Sequence, residues 1–294
     1  MSPPGRGWAL RGRANFRSAE ASPVDARGAR REWLALARRI EQRGGRVCVL
    51  PPDDALTGLP YAAEAGHPLP PRAGGRPRFI LPRMFAAHRR GERELWAPLV
   101  ERLGFELIDL PETALWEGQG DVAWFDDVTL LFHGGRTNRA GLDAAASHFD
   151  GELLTLELRQ PAFHGNMAVL PLGAVDRLLV CHDVIVGDGS RRLAERFGSE
   201  RLIAVSEAEI RSYATNGLPV GDAWLVPAVA PARVQALVAE LGLQVEPLTM
   251  TELCEKAGGA SRCLVCVFPN GSRWLEIPAE YSLAHASEEL DRDG

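Results

Sequence analysis

The chain has 294 residues with a net charge of −6, and hydrophobic and charged residues make up 46% and 24% of it. These values are typical of a soluble globular protein with one large domain or two small ones, and they give no reason to expect nucleic acid as a partner. No stretch approaches the roughly eighteen apolar residues of a membrane helix. The N-terminal residues 1–18 also lack the apolar run of a signal peptide.

The cysteines are odd in number and widely spaced. A protein of this size does not need disulfides for stability, so the pattern favours a reducing compartment. We therefore expect a soluble cytoplasmic protein without a membrane partner. The five cysteines are Cys48, Cys181, Cys254, Cys263 and Cys266.

The predicted elements repeat one order along the chain: a helix, a glycine and a short strand. Residues 34–50 show this order first, with the helix over 34–43 and the strand over 46–50. The hinge glycines are 59, 47, 47 and 44 residues apart, and such periods indicate a repeated supersecondary unit. The alternative is an ordinary α/β chain in which the order recurs by chance. The hinge glycines are Gly45, Gly104, Gly151, Gly198 and Gly242.

A short polar link and a second pair of strands follow each repeated strand, with a polar residue near the start of the pair. If five such units close into a ring, these polar residues converge on its axis. Residues distant in sequence would then become neighbours. The five are Glu64, Glu117, His164, Asn216 and Cys263.

The two ends of the chain differ in composition from the middle. Residues 1–29 are rich in proline, glycine and arginine, which predicts a partly flexible arm or an added strand. Residues 30–275 are predicted to form a single catalytic domain, and residues 276–294 a loose acidic tail.

The most informative segment is Gly258–Cys263, in which a cysteine follows a glycine pair. Gly259 is expected to supply the backbone freedom for a sharp turn that presents the thiol to a cleft. Together with His164 and Glu117, Cys263 completes a nucleophile, a proton carrier and an orienting carboxylate. Each of the three could also have only a structural role: Cys263 as a buried apolar residue, His164 as a core histidine and Glu117 as a turn residue.

Cys263 and Cys266 also form a Cys-x-x-Cys pair. A single pair without a second pair or a histidine cluster is weak support for a zinc or redox site. In a strand, residues three apart point to opposite faces, so Cys266 is assigned to the core. We expect neither a metal nor a cofactor.

Several short motifs, taken in order, resemble those of the guanidino-group modifying enzymes, the amidinotransferase or pentein superfamily. Among these enzymes, the dimethylarginine dimethylaminohydrolase-like proteins are the most similar. The resemblance extends from Gly58 to Pro269. The motifs are Ile80-Leu81-Pro82-Arg83, His88-Arg89-Arg90-Gly91-Glu92, Glu117-Gly118-Gln119-Gly120-Asp121, Gly135-Arg136-Thr137-Asn138, Phe163-His164, Asn216 with Val220-Gly221-Asp222, and Gly258 to Cys263.

This resemblance implies an α/β fold, a five-bladed propeller of ββαβ repeats with pseudo-fivefold symmetry. It also implies that Cys263 is the nucleophile, that His164 is the general acid and base, and that Glu117 is the carboxylate that holds the imidazole. Arg89 and Arg136 match positions that bind the substrate's α-carboxylate in the hydrolases.

The chain departs from the family pattern at two positions. Glu64 stands where relatives carry an Asp or Asn that faces the guanidinium. Asn166 stands where many relatives carry an Asp, which keeps a hydrogen-bond acceptor and removes the charge. Asp121 and Asn216 complete the predicted substrate-binding set, although Asp121 is also expected to accept backbone hydrogen bonds and Asn216 to act as a structural tie.

The resulting expectation is a cofactor-independent thiol hydrolase that acts on the guanidino group of an arginine-like small molecule, with a homodimer as one expected assembly. Three alternatives remain open. The first is an amidinotransferase that passes the same covalent intermediate to an amine. The second is a noncatalytic binding protein on the same fold, and the third is a thiol-redox protein based on the Cys-x-x-Cys pair.

Overall fold

The computed structural model describes residues 1–12, 15–72, 75–268 and 276–292, and within these ranges the chain forms four three-stranded sheets. The helices are α1 (Ala26–Gln42), α2 (Glu92–Arg102), α3 (Arg139–Ala146), α4 (Gly189–Phe197), α5 (Glu207–Ile210), α6 (Ala232–Glu240) and α7 (Leu283–Arg292). The strands are β1 (His67–Leu69), β2 (Arg78–Ile80), β3 (Glu106–Ile108), β4 (Val122–Phe125), β5 (Val128–His133), β6 (Glu152–Glu157), β7 (Val169–Leu172), β8 (Arg177–Val180), β9 (Leu202–Ala204), β10 (Leu218–Val220), β11 (Ala223–Pro227) and β12 (Gln244–Leu248).

Each sheet is built from one stretch of chain in the order strand, strand, helix, strand. In the second sheet, β4 and β5 form an antiparallel hairpin, α3 follows, and β6 returns parallel to β5 with Leu131 opposite Thr155. A parallel return requires a crossover, which the helix provides. The other three sheets repeat this order with α2, α4 and α6. The predicted α/β fold of ββαβ units is therefore confirmed in four sheets.

The middle strand of each sheet pairs with its hairpin partner along one edge and with the parallel strand along the other. Both faces of these strands are covered by other parts of the chain. Five of the six residues of β5 are buried, and so is the whole of β11. For this reason the sequences of β5 and β11 are mostly apolar and lack the alternation of apolar and polar residues that a half-exposed strand shows.

Four of the five predicted hinge glycines adopt the left-handed conformation, and the first does not. Gly104, Gly198 and Gly242 have φ values of 93°, 84° and 100° directly after or within two residues of a helix end. In the first unit it is Gly44, with φ 84°, that turns the chain, and not Gly45. Gly151 has φ 88° but lies just before β6, because α3 already ends at Ala146.

The fifth unit is only partly described. α1 and the segment after it occupy the expected helix and strand positions, but residues 46–50 form a single bridge, from Cys48 to Ser282, where a strand was predicted. Residues 269–275, which the repeat assigns to this unit, lie outside the described residues. Closure of the ring by a fifth blade therefore stays a prediction.

Both ends of the chain pack against the body, contrary to the predicted arm and tail. The amino group of Met1 donates to the Cys48 carbonyl at 2.8 Å, and the buried Trp8 indole donates to the Thr57 carbonyl at 2.8 Å. At the other end, residues predicted to be loose form α7, whose Leu283 and Ala286 lie in the same apolar cluster as the buried face of α1. Apolar residues at helical spacing, hidden among acidic ones, explain this packing.

None of the helices within the described ranges combines the length and the apolar character needed to span a bilayer.

Candidate active site

Short turns just before the first strand of a unit carry the candidate residues. Glu64 lies in the 3₁₀ turn Ala62–Ala65 that precedes β1, and Glu117 and His164 directly precede the corresponding turns before β4 and β7. Asn216 precedes β10, and Cys263 lies in a turn after the π-helical segment Thr251–Lys256. All five residues are at least 98% buried. The structure thus places residues from separate repeats in one buried centre.

His164 is surrounded by carboxylates. Its Nε2 lies 2.8 Å from Oε2 of Glu117 and 4.0 Å from Oδ2 of Asp121, and its Nδ1 lies 3.4 Å from Oε1 of Glu64. Burial alone would lower the pKa of His164, but the charge of Asp121, the hydrogen bond to Glu117 and the charge of Glu64 raise it above its usual value. The surrounding carboxylates therefore favour the protonated imidazole.

Glu117 is fixed on every side. Its Oε1 accepts the Phe85 backbone N–H at 2.8 Å, and its Oε2 lies 3.6 Å from Nη1 of Arg136. Burial would raise the pKa of Glu117, but the hydrogen bond from His164 and the charge of Arg136 hold it well below its usual range. The site thus favours the anionic form of Glu117, which contacts the imidazole at Nε2; its predicted catalytic role stays a prediction.

Asp121 lies behind the histidine. Its Oδ1 accepts the Gly165 backbone N–H at 2.8 Å and its Oδ2 accepts the Thr137 hydroxyl at 2.6 Å. Burial raises the pKa of Asp121 to about 6. It therefore holds the turn that carries His164, which matches the expected backbone contact. Its predicted role as a substrate ligand stays a prediction.

The turn around Cys263 depends on both glycines, but not as predicted. Gly258, with φ 93°, adopts the left-handed conformation, whereas Gly259 does not. A Cβ on Gly259 would overlap the Tyr61 ring, so this glycine is required for close packing. The Cys263 carbonyl accepts the Ala63 N–H at 2.9 Å, which joins the cysteine turn to the turn that carries Glu64.

The Cys263 thiol is buried, with 2% of the residue exposed, and the Asn166 amide Nδ2 lies 3.7 Å from Sγ. Burial and the neighbouring charge of Glu64 raise the pKa of Cys263 to about 12, against the opposing effects of Asn216, Arg262 and Arg136. The low dielectric of the site and one facing carboxylate outweigh the cations.

A cavity of about 70 Å³ opens onto the thiol. Glu64 and Cys263 are among the residues that line it. The N-terminal arm, predicted to be partly flexible, forms part of its wall through Trp8, Leu10 and Arg11. The arm and the candidate nucleophile thus share one cavity.

Arg89 lines the cavity, and its guanidinium is already engaged by neighbouring protein groups. Its guanidinium is 96% buried, donates to both oxygens of Glu92 at 2.7 Å and to the Gly58 carbonyl at 3.0 Å, and forms an ion pair with Glu64. Every guanidinium nitrogen is engaged. Because the longer Glu64 side chain reaches Arg89, this arginine fixes Glu64, and its expected contact with the substrate's α-carboxylate stays a prediction.

Arg136 and Asn216 lie where the motifs placed them. Arg136 lines the cavity and its guanidinium carbon lies 4.6 Å from the centroid of the Phe163 ring. Asn216 donates from Nδ2 to the Asn166 carbonyl at 3.2 Å, and its own carbonyl accepts the Arg262 N–H at 3.1 Å. Asn216 is therefore a tie between the His164 turn and the Cys263 turn, as its structural interpretation predicted.

Sequence reasoning missed Gln119. Its Oε1 accepts the Val267 N–H at 2.8 Å and lies 3.1 Å from Nη2 of Arg262, and its Nε2 donates to the Val267 carbonyl at 2.6 Å. This fully buried amide joins the Glu117 turn to the segment after Cys263. Gln119 lies inside the motif over residues 117–121, but its uncharged side chain did not indicate a role in the chemistry of the site.

Cys266 is not on a strand, because residues 265–268 have no strand assignment. It is half-buried against the apolar cluster around Phe79, and its Sγ lies 3.8 Å from the Gly66 carbonyl. Burial raises its pKa to about 12. Within the described residues, no group of three or more His, Cys, Asp or Glu side chains could hold a metal ion.

Two curated cyanobacterial proteins are similar in sequence. The bifunctional arginine dihydrolase/ornithine cyclodeaminase ArgZ of Synechocystis sp. is 30% identical over 237 residues, which is 79% of this chain and 32% of ArgZ. AgrE of Nostoc sp., of the same description, is 28% identical over 238 residues, again 79% of this chain and 32% of the relative. The chain thus spans about a third of the length of these relatives. No family model matches the chain.

Solved structures agree with the fold. The substrate-bound N-terminal domain of ArgZ superposes with a TM-score of 0.80 at 24% identity, covering 90% of this chain and 95% of that one. A dimethylarginine dimethylaminohydrolase superposes with a TM-score of 0.71 at 19% identity, covering 90% and 96%. At these identities the likeness shows that the described chain shares the fold of these two proteins.

Proposed function

We propose that this pentein-fold protein is a cysteine-nucleophile hydrolase that acts on the guanidino group of an arginine-like small molecule. The observation that carries the proposal is the juxtaposition of the thiol of Cys263, the imidazole of His164 and the carboxylates of Glu64 and Glu117, supplied by separate repeats. A guanidinium has its charge spread over three nitrogens and is a poor electrophile, so its hydrolysis needs a positioned nucleophile and a positioned acid.

Substrate binding brings the positive charge that the Cys263 thiolate needs. Glu64 is the carboxylate that faces the thiol in the cavity, and it raises the pKa of Cys263. A guanidinium bound against Glu64 offsets this negative charge and favours the thiolate. The thiol proton leaves to solvent, and the Sγ–carbon bond forms perpendicular to the guanidinium plane.

His164 acts next through Nδ1. Its Nε2 is held by Glu117, whereas its Nδ1 has no hydrogen-bond partner among the described residues and points toward Glu64. The imidazolium donates the Nδ1 proton to the departing nitrogen, the carbon–nitrogen bond breaks, and an amine leaves. The neutral imidazole then takes a proton from water, which attacks the amidino-thioether, and the carbon–sulfur bond breaks to restore the thiolate.

The substrate class follows from the two departures from the family pattern. Compared with relatives that carry Asp at both positions, Glu64 with the uncharged amide of Asn166, 3.7 Å from Sγ, leaves one fewer negative charge around the guanidinium. We therefore propose that N-substituted guanidines fit the site better than unmodified arginine. ArgZ and AgrE are described as arginine dihydrolases, so arginine itself belongs in any test.

The test is turnover of a panel containing arginine, methylated arginines, agmatine and guanidino acids, with release of ammonia or alkylamine measured for the wild type and Cys263→Ser. Turnover that requires Cys263 supports the proposal, and a clear preference for unmodified arginine contradicts the proposed substrate preference. No turnover of any guanidine would contradict the hydrolase. Added amine acceptors separate transfer from hydrolysis, because a transferase would yield a new guanidine in place of a urea product.

A further inference from the structure

The thiol of Cys263 has a side-chain amide directly against it. Nδ2 of Asn166 lies 3.7 Å from Sγ, within hydrogen-bond distance of a sulfur atom. Asn166 is 94% buried and Cys263 98% buried, so the two groups meet away from bulk water. In such a place a hydrogen bond to an anion is stronger than it is in solvent.

The turn that carries Asn166 is held by the segment before β10. The Thr215 hydroxyl donates to the Met167 carbonyl at 2.6 Å, and Nδ2 of Asn216 donates to the Asn166 carbonyl at 3.2 Å. The Asn216 carbonyl in turn accepts the backbone N–H of Arg262, the residue before the nucleophile, at 3.1 Å. One segment therefore positions both the amide and the thiol that it contacts.

An amide and a carboxylate at position 166 act differently on a thiolate. The amide nitrogen of asparagine carries two N–H donors, whereas an ionised carboxylate only accepts hydrogen bonds and repels a neighbouring anion. A hydrogen bond from an N–H group to a charged acceptor is also stronger than one between neutral groups. The asparagine at this position thus favours the ionised nucleophile, which an aspartate would oppose.

The carboxylate of Glu64 makes such a donor necessary. Burial raises the pKa of Cys263, and the charge of Glu64 raises it further, whereas a hydrogen bond from Asn216 and the charge of Arg262 oppose the rise. A second carboxylate at position 166 would add to the repulsion between Glu64 and the thiolate. An amide donor there offsets it instead.

We propose that Asn166 is a catalytic residue that donates a hydrogen bond to the Cys263 thiolate, and that Asn216 is the positioning residue that holds it there. This proposal rests on the proposed function, because it concerns the nucleophile of the same site. It assigns position 166 a role on the thiol that is independent of any contact with the substrate. The aspartate of the family pattern cannot fill that role.

Alkylation of the free protein by iodoacetamide, without any guanidine present, tests the role on the thiol. Asn166→Asp keeps the shape of the side chain, and Asn166→Ala removes the donor without adding charge. Both should slow alkylation of Cys263 at neutral pH by about ten-fold or more, because one hydrogen bond to a charged group is lost. Asn166→Ala also widens access to the sulfur, so slower alkylation there reflects a smaller thiolate fraction. Peptide mapping identifies the modified cysteine.

Gln42→Glu is the matched control for the added charge, since it replaces an amide by a carboxylate at the exposed end of α1. It should leave the alkylation rate within about two-fold of the wild type, because a charge that far into solvent is screened.

A second measurement separates the thiol from the substrate. In the Cys263→Ser background, Asn166→Asp should bind arginine at least as tightly as its parent in calorimetry, because the new carboxylate attracts the guanidinium. With the nucleophile present, the kcat of Asn166→Asp should fall about ten-fold. A residue that only binds the guanidinium would give an unchanged or raised kcat in this variant.

The outcomes distinguish this proposal from the proposed function. Alkylation of Asn166→Ala as fast as the wild type, equal slowing in Gln42→Glu, or a raised kcat in Asn166→Asp would overturn the donor role. Slower alkylation of both Asn166 variants in a protein that turns over no guanidine would support the contact with the thiolate and contradict the hydrolase. Turnover of a guanidine with unchanged alkylation in both variants would do the reverse.

Discussion

His164 Nε2 lies 2.8 Å from Oε2 of Glu117, and both side chains are completely buried. The contact joins two separate ββαβ units at the start of their hairpins, so the fold itself sets this distance. It also decides which imidazole nitrogen is available for proton transfer, because Nε2 is occupied and Nδ1 faces Glu64.

Cys263→Ser should lower turnover of the accepted guanidine by about 1,000-fold or more, because a serine hydroxyl at the same position is not a comparable nucleophile at neutral pH. The matched control is Cys266→Ser, which removes a neighbouring thiol that makes no described contact with His164. Steady-state kinetics check both variants. Similar losses in both would show that packing, and not nucleophilic chemistry, is being measured.

Glu117→Gln should lower kcat by about 100-fold, since the imidazolium loses its permanent counter-charge and its proton donor function weakens. NMR titration of the His164 ring in the variant should show a lower pKa than in the wild type. An unchanged ring pKa would contradict the assignment of Glu117 as the group that holds the charged imidazole.

The same pair gives a pH dependence of stability. The folded pKa of His164 is raised, so its contribution is present below the unfolded pKa and is lost as the pH rises through the folded value. The folded pKa of Glu117 is lowered, so its contribution is present above the unfolded pKa of about 4.3 and is lost as the pH falls through the folded value. We expect the free energies of unfolding of the wild type and Glu117→Gln, measured with denaturant, to differ most between the unfolded pKa of Glu117 and the unfolded pKa of His164. A difference that grows above the folded pKa of His164 would refute this account.

Glu64→Gln should make the free thiol more reactive. Removing the facing negative charge lowers the pKa of Cys263 from its raised value, so alkylation by iodoacetamide at neutral pH should be faster by about ten-fold. Glu112→Gln, at an exposed position, is the control. Peptide mapping identifies the alkylated cysteine, and equal rates in both variants would count against Glu64 as the carboxylate that suppresses the thiolate.

Gln119→Leu should destabilise the protein by about 2–3 kcal/mol, because two hydrogen bonds to the Val267 backbone and one from Arg262 are lost in a buried place. Gln42→Leu, at the exposed end of α1, should change the free energy of unfolding by less than about 0.5 kcal/mol. Chemical denaturation measures both. A Gln119→Leu variant as stable as the wild type would mean that the Glu117 turn and the segment after Cys263 do not depend on this amide.

The repeat and the convergence of the polar residues could be predicted from sequence, because both depend on local signals. A glycine after a helix, a short apolar strand and a polar residue before a hairpin recur at a regular spacing, and this spacing brings Glu117 and His164 together. The family motifs then identified Cys263 as the third member.

Other features depend on side-chain reach and burial, which no local pattern encodes. That Glu64 is long enough to saturate Arg89 follows only from the position of the two turns. The raised pKa of Cys263 follows from its burial, and the placement of Arg11 follows from two anchors of the arm to segments distant in sequence. The arm itself lacks the apolar periodicity of a strand or helix, which is why it was predicted to be partly flexible.

The central claim is that Cys263 forms a covalent amidino-thioether. Intact-protein mass spectrometry after rapid acid quench, with wild type and Cys263→Ser incubated with each guanidine of the panel, tests it most directly. The account predicts a mass increase on the wild type that corresponds to the substrate minus its departing amine, mapped to Cys263 and absent from the variant. Turnover with no adduct at any quench time, or an adduct on another residue, would contradict it.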